Sequence, residues 1–144
     1  MNILFDENVV MKELIEDFKT ISIREPYENI SNGYEFYLTI SDSISDYKEY
    51  WDNDINSDDN TTDFKYLVID LIQIDEEYRN NKWGTKLMNI LINFAKMQGC
   101  SSICLLVDNC NDHEFDLINW YSKFGFKMKG GDKDLMSWHV LKLQ

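Results

Sequence analysis

The sequence is short of cysteine, of long apolar runs and of positive charge, and each shortage excludes something. Three cysteines in 144 residues is an odd number at irregular spacing. That fits reduced thiols in a cytosol rather than a disulfide framework. No apolar run approaches the ~18 residues that a membrane span needs. The opening residues, MNILFDEN, carry no basic flank and too short an apolar stretch for a signal peptide, so a cytoplasmic protein with no membrane association is expected. Lysine and arginine number 14 against 26 acids, a net charge of -12. Such a balance argues against a surface that tracks phosphate backbones, so no nucleic-acid partner is expected. It favours a cationic partner or substrate.

What is present describes a folded chain. Hydrophobic residues make up 44% and aromatics 14%, too much apolar surface for disorder. A chain of this length buries about 70% of its unfolded surface, so residues 1–144 are expected to form a single domain. The negative charge is uneven. Between Ser41 and Asp63 lie seven Asp and one Glu against one Lys, and this segment is expected to be a long acidic loop. It is either a solvated loop or a rim that attracts an amine-bearing substrate or a basic protein.

The pattern along the chain alternates strand and helix. Val9, Met11, Leu14, Ile15 and Phe18 predict a helix over 8–19. ISIRE (21–25) predicts a strand ended by Pro26, paired across residues 26–33 with the alternating YEFYLTI that follows Asn32-Gly33. FKYLVIDLIQI (64–74) predicts a central strand buried on both faces. TKLMNILINFAKMQ follows as a helix closed by Gly99, and SSICLLVD as a second buried strand. Asn111 and Glu114 form a possible capping box for a helix through Lys123, with Leu117, Ile118 and Tyr121 inward and Gly125 ending it. FKMK and LMSWHVLKL predict closing strands around Gly130-Gly131. The order implies an α/β or α+β domain with a parallel crossover at its centre.

The turn after the central strand carries the chemistry. It opens directly onto a helix, whose first unsatisfied N–H groups and positive dipole end suit an anionic phosphate. Gly84 permits close backbone approach, Thr85 adds a hydroxyl, and Arg79 and Lys82 add positive charge. An ordinary crossover connection would look similar. IQIDEEYRNNKWGTKLM (72–88), however, resembles the central motif of the Gcn5-related N-acetyltransferases, Arg/Gln-x-x-Gly-x-Gly/Ala, with Arg79 in the first position and Gly84 in the last. INWYSKFGF (118–126) resembles that family's second signature, an aromatic-Tyr pair followed by Gly-Phe. The resemblance covers residues 64–144 well, whereas the first 60 match in layout only. Lys82 stands where the fingerprint has its middle glycine. If that position needs a positive φ, a lysine there costs about 1 kcal/mol, and its ammonium offers a phosphate partner in return.

The resemblance implies a mixed sheet flanked by helices, with two parallel strands splayed to form an acetyl-CoA cleft. It implies pantetheine contacts at Ile72, Gln73 and Ile74, and phosphate contacts at Arg79, Asn80, Asn81, Lys82, Trp83, Gly84 and Thr85. Tyr121 occupies the family's general-acid position. Asp70, read as sharing a face with Ile72 and Ile74, is a general base through a water, a hydrogen-bonded structural residue, or an anchor for a substrate ammonium. Glu35 and Glu77 are weaker candidates. The implied activity is acetyl transfer from acetyl-CoA to a primary amine of a cationic acceptor: a protein lysine or N-terminus, a polyamine or an amino sugar. The contrasting reading is an acidic, non-enzymatic protein on the same scaffold that masks a basic protein surface. A monomer or homodimer is expected. No metal is expected: Cys100, Cys104, Cys110 and His113 match no common zinc spacing, and Asp52, Asp54, Asn56, Asp58 and Asp63 lack the glycine of a calcium loop. His139, between Trp138 and Val140, is expected to be structural.

Overall fold

The computed structural model describes residues 5–43, 65–108, 117–131 and 136–143. The acidic segment after Ser43, the calcium-like aspartates, Cys110, His113 and the Asn111–Glu114 capping box all lie outside the described residues. Helix α1 (Glu7–Asp17) begins at Asp6, whose Oδ1 accepts from the amides of Asn8 at 3.0 Å and Val9 at 3.3 Å. That is the carboxylate cap the first free N–H groups require. Strands β1 (Tyr27–Ser31) and β2 (Tyr34–Ser41) form a hairpin about Asn32-Gly33. The expected strand ISIRE is not formed. Arg24 takes a left-handed φ of 73°, which breaks the extended run, and Pro26 precedes β1 rather than ending a strand.

Strand β3 (Tyr66–Ile74) leads through a short 3-10 helix (Glu76–Asn81) into helix α2 (Trp83–Met97), which closes at Gly99 with φ +79°. Strand β4 (Ser102–Asp108), helix α3 (Leu117–Ser122) and strands β5 (Lys127–Gly131) and β6 (Met136–Lys142) complete the described elements. They assemble a mixed sheet in the order β1-β2-β3-β4-β6-β5, parallel between β3 and β4 and antiparallel elsewhere.

The core lies on one face of this sheet. Leu87, Met88, Ile90, Leu91, Phe94 and Ala95 recur at helical spacing along α2 and are all buried. Fully burying each large apolar side chain is worth about 1.5–3 kcal/mol. They meet Val10 and Leu14 of α1, Phe36, Leu38 and Ile40 of β2, Leu67 and Ile69 of β3, and Ile103, Leu105 and Val107 of β4. Tyr121 and Phe126 join the same cluster, which places α3 on that side as well. Leu117, expected inward, is exposed at the start of α3. A second, smaller cluster of Tyr66, Cys104 and Val140, with Val68 and Trp138 against it, occupies the opposite face. Among the described residues no helix is long and apolar enough to cross a membrane.

Candidate active site

The central strands part company midway. The parallel ladder of β3 and β4 joins Tyr66–Ile69 to Ser102–Leu105 and goes no further, although β3 continues to Ile74 and β4 to Asp108. Beyond Ile69, the β4-facing edge of β3 makes no ladder pair, and buried backbone groups of that kind need another partner. The cause lies in the pairing of β3 with β2. Tyr37 opposes Leu71 and Leu38 opposes Ile69, so Asp70 is an extra residue without a partner in β2. A bulge of this kind bends its strand and increases the local twist.

The bulge also overturns the expected placement of Asp70. Side chains alternate faces along a strand, and one inserted residue reverses the alternation. Leu67 and Ile69 therefore face the helices, and beyond the bulge Ile72 and Ile74 do so too. Asp70 projects from the other face, where its Oδ2 accepts from the Thr39 hydroxyl at 2.9 Å. β3 is accordingly not buried on both faces: Asp70 and Gln73 are exposed. Despite that exposure, partial loss of solvation holds the Asp70 carboxyl above the ordinary range, and the Thr39 hydrogen bond works in the opposite direction.

The turn after β3 is tied down at both ends. The Asp75 amide donates to the Gly33 carbonyl at 2.8 Å, and Arg79 Nε donates to the Ile74 carbonyl at 2.9 Å. Tyr78 stacks on Trp83 with ring centroids 4.3 Å apart and planes within 1° of parallel. Gly33 lies beneath both rings: a Cβ there would come within 2.5 Å of Trp83 and 2.9 Å of Tyr78. The Trp83 ring is thus committed to the core, and only its backbone is left to face a ligand. Lys82 takes φ 62°, ψ 19°, the left-handed conformation that its place in the fingerprint raised as a condition. α2 starts immediately after it with no side-chain cap, so the first amides of the helix are not satisfied by a neighbouring side chain. Thr85 is exposed in this first turn. Asn80 and Asn81 lie in the 3-10 helix just before it. Beside the turn, a wide recess of about 670 Å³ is lined by Gln73, Asp75, Glu76, Glu77 and Arg79.

Gly84 has a neighbour that the sequence did not reveal. A Cβ on it would lie 3.3 Å from the Trp120 indole and 3.8 Å from Ile74, so α3 packs directly on the first turn of α2. Next to Trp120, Tyr121 is buried at 7% exposure, with rings 5.0 Å from Trp120 and 5.8 Å from Phe126. Burial pushes its phenol up to about 12, so it remains protonated and able to donate a proton at neutral pH. Glu35 accepts from the Tyr37 hydroxyl at 3.3 Å on the same sheet face as Asp70. His139 is buried, its Nε2 2.8 Å from Ser137 Oγ, and desolvation holds it below the usual histidine range. Among the described residues no group of His, Cys, Asp or Glu is placed to hold a metal ion.

Together these features are a mixed α/β sheet whose central parallel pair parts beside a tight turn and a helix that starts without a side-chain cap. The acetyltransferase (GNAT) family model matches residues 22–126, and the chain belongs to that family. No curated protein matches in sequence. Among solved structures, a GNAT acetyltransferase from Elizabethkingia anophelis with acetyl-CoA bound is similar at TM-score 0.54 and 18% identity, over 92% of this chain and 83% of that one. An acetyltransferase from Bacillus cereus is similar at TM-score 0.52 and 15% identity, over 99% and 98%. A NatC complex bound to Gag peptide and CoA contains a chain similar at TM-score 0.57 and 12% identity, over 100% and 84%. These likenesses establish the fold.

Proposed function

We propose that this chain is an acetyl-CoA-dependent N-acetyltransferase acting on a primary amine of a cationic acceptor. The observation that carries the reading is the parting of β3 and β4 at the Asp70 bulge, next to the uncapped start of α2. The residues present fit the coenzyme. The edge of β3 at Ile72–Ile74 that makes no ladder pair with β4 suits the amides of pantetheine, although the Ile74 carbonyl already accepts from Arg79, and the amides from Asn80 to Thr85, with Arg79 and Lys82, suit the pyrophosphate. An acetyl-CoA-bound relative supports the same assignment.

The roles follow from position. The coenzyme would approach from the helix side, where α2 begins, and reach through the splay toward the face on which Asp70 lies. An ammonium arriving on that face must lose a proton before its nitrogen can attack. Asp70, through a water, takes that proton, and its raised pKa makes it a better base than an ordinary aspartate. As the new C–N bond forms and the C–S bond breaks, the Tyr121 phenol delivers a proton to the leaving sulfur. The net charge of -12, concentrated partly between Ser41 and Asp63, favours a lysine side chain, a protein N-terminus, a polyamine or an amino sugar over an anionic acceptor.

The test is calorimetric titration with acetyl-CoA and with free CoA, followed by thiol release in the presence of lysine peptides, polyamines and amino sugars. Micromolar coenzyme binding with acceptor-dependent thiol release is expected. No binding up to millimolar coenzyme would refute the proposal and direct the search to basic protein partners.

A further inference from the structure

Helix α3 is too short to hold its own place. It has six residues, and a helix of that length is marginal without tertiary contacts. Two contacts anchor it. Just past its C-terminal end, Gly125 with φ +104° lies against Leu141 of β6, where a Cβ would come within 2.9 Å, and the next residue, Phe126, is buried in the core. On its other side, the Trp120 indole covers Gly84 in the first turn of α2, with Cζ2 3.3 Å and Cη2 3.7 Å from where a Cβ would stand. Trp120 also meets Phe124 edge-on, with centroids 5.0 Å apart and planes at 77°. Tyr121 lies between these anchors in the sequence. Its ring meets Trp120 at 63° and Phe126 at 68°, both edge-on. Among the described residues no hydrogen bond directs its hydroxyl, and desolvation is the cause of its raised pKa. Ring packing therefore sets where the phenol points.

We propose that Trp120 is a positioning residue for the acetyl transfer: by packing on Gly84 it fixes Tyr121 relative to the turn that receives the coenzyme. The inference rests on the coenzyme reading above and on Tyr121 as the acid. In that step the C–N bond forms as the C–S bond breaks, and the phenol proton passes to the sulfur and is regained from solvent. Proton transfer needs the two heavy atoms within about 3 Å, and a misplacement of about 1 Å costs about 10²-fold. The indole is the piece that spans from the coenzyme turn to the acid. A smaller aliphatic side chain at position 120 would leave Gly84 uncovered and let the short helix shift. The contact has little slack, because a methyl group at position 84 would already push the indole by a few tenths of an ångström.

The test measures CoA affinity by titration, and thiol release from acetyl-CoA with a lysine peptide, a polyamine and an amino sugar as acceptors. The chains compared are the parent, Trp120→Leu, Trp120→Phe, Tyr121→Phe and the double variant Trp120→Leu/Tyr121→Phe. Trp120→Leu should lower kcat by about 10²-fold while CoA affinity stays within about twofold. Trp120→Phe, which keeps an aromatic edge against Tyr121, should recover kcat to within about tenfold of the parent. The double variant should turn over within about twofold of Tyr121→Phe, because the place of an absent acid has no consequence. Thermal melts check that each variant folds, and if Trp120→Leu does not, Trp120→Phe/Tyr121→Phe carries the same comparison. Losses that multiply in the double variant would overturn the inference and leave the coenzyme reading standing. So would weakened CoA binding with kcat kept, which would make Trp120 a coenzyme contact. Unchanged turnover in Tyr121→Phe would also overturn it, with coenzyme binding intact. If the parent chain does not bind CoA, both readings fall.

Discussion

Substituting Gly33 and Gly99 by alanine separates backbone strain from lack of space, and the two positions should differ several-fold in cost. Both glycines have positive φ, +100° and +79°. An added Cβ at Gly99 meets only the end of the Lys65 side chain, at 3.8 Å, so Gly99→Ala should cost the conformational strain alone, about 1 kcal/mol. At Gly33 the same atom would sit 2.5 Å from Trp83 and 2.9 Å from Tyr78. The rings cannot simply move aside. Trp83 is 4% exposed, lies flat on Tyr78, and has Phe5 at 5.4 Å on another side. Overpacking of this kind adds about 1–3 kcal/mol to the strain, for a total near 3 kcal/mol. Urea unfolding with m held constant gives the difference directly. In thermal melts it corresponds to a drop of about 10 °C for Gly33→Ala and about 3 °C for Gly99→Ala. Because the displaced stack sits in the turn proposed to hold the coenzyme phosphates, Gly33→Ala should also weaken CoA binding, while Gly99→Ala should not. Equal destabilisation by the two variants would refute the claim that the hairpin turn and the aromatic stack are tightly fitted.

Three further outcomes follow from the titrating groups. With Asp70 as the proposed base, active only when deprotonated, its raised pKa should place the acid limb of the pH–rate profile above the ordinary aspartate range. Thr39→Ala removes the hydrogen bond that lowers that pKa and should move the limb to higher pH; Asp70→Asn should abolish it, and an unchanged profile would leave Asp70 a structural role. Tyr121→Phe should reduce turnover by 10²-fold or more with CoA affinity kept, and unchanged turnover would remove it as the acid. His139 is held neutral by burial, so as pH falls below about 6.5 the unfolded chain takes up the proton first and stability declines. Melts at pH 7.5 and 5.5 should show a smaller acid-side loss in His139→Gln than in the parent chain, and an equal loss would place the titration elsewhere.

Much of the fold was legible because its long elements carry strong periodicity. α2 announces itself through Leu87, Ile90, Leu91 and Phe94, and Gly99 ends it by adopting a conformation few other residues tolerate. The two motifs fall on the turn and the helix that the resemblance implied. ISIRE misled because its two isoleucines alternate like a strand, while the actual conformation is decided by one left-handed arginine that composition does not signal. The face of Asp70 was misjudged for a different reason. Helix-facing residues run Leu67, Ile69 and then Ile72, Ile74, a change of parity that marks the bulge. Tyr66, Val68 and Leu71 are apolar as well, and they blur the signal. The contact of Trp120 with Gly84 joins residues 36 positions apart, and no local pattern encodes it.

The short seam between β3 and β4 has a consequence for the chain as a whole. The sheet order places β1, β2 and β3 on one side of the seam and β4, β6 and β5 on the other, so each half is a contiguous stretch of sequence. Among the described residues, four ladder pairs and the hydrogen bond from the Ser101 amide to the Lys65 carbonyl join the halves through the backbone, and α2 bridges them through its side chains. Each half zips from nearby strands, which keeps its loop-closure entropy small, and the seam is the long-range step. Separately expressed fragments cut near Gly99 should therefore reassociate, and a coenzyme lying along the seam should act as the clasp that favours their union.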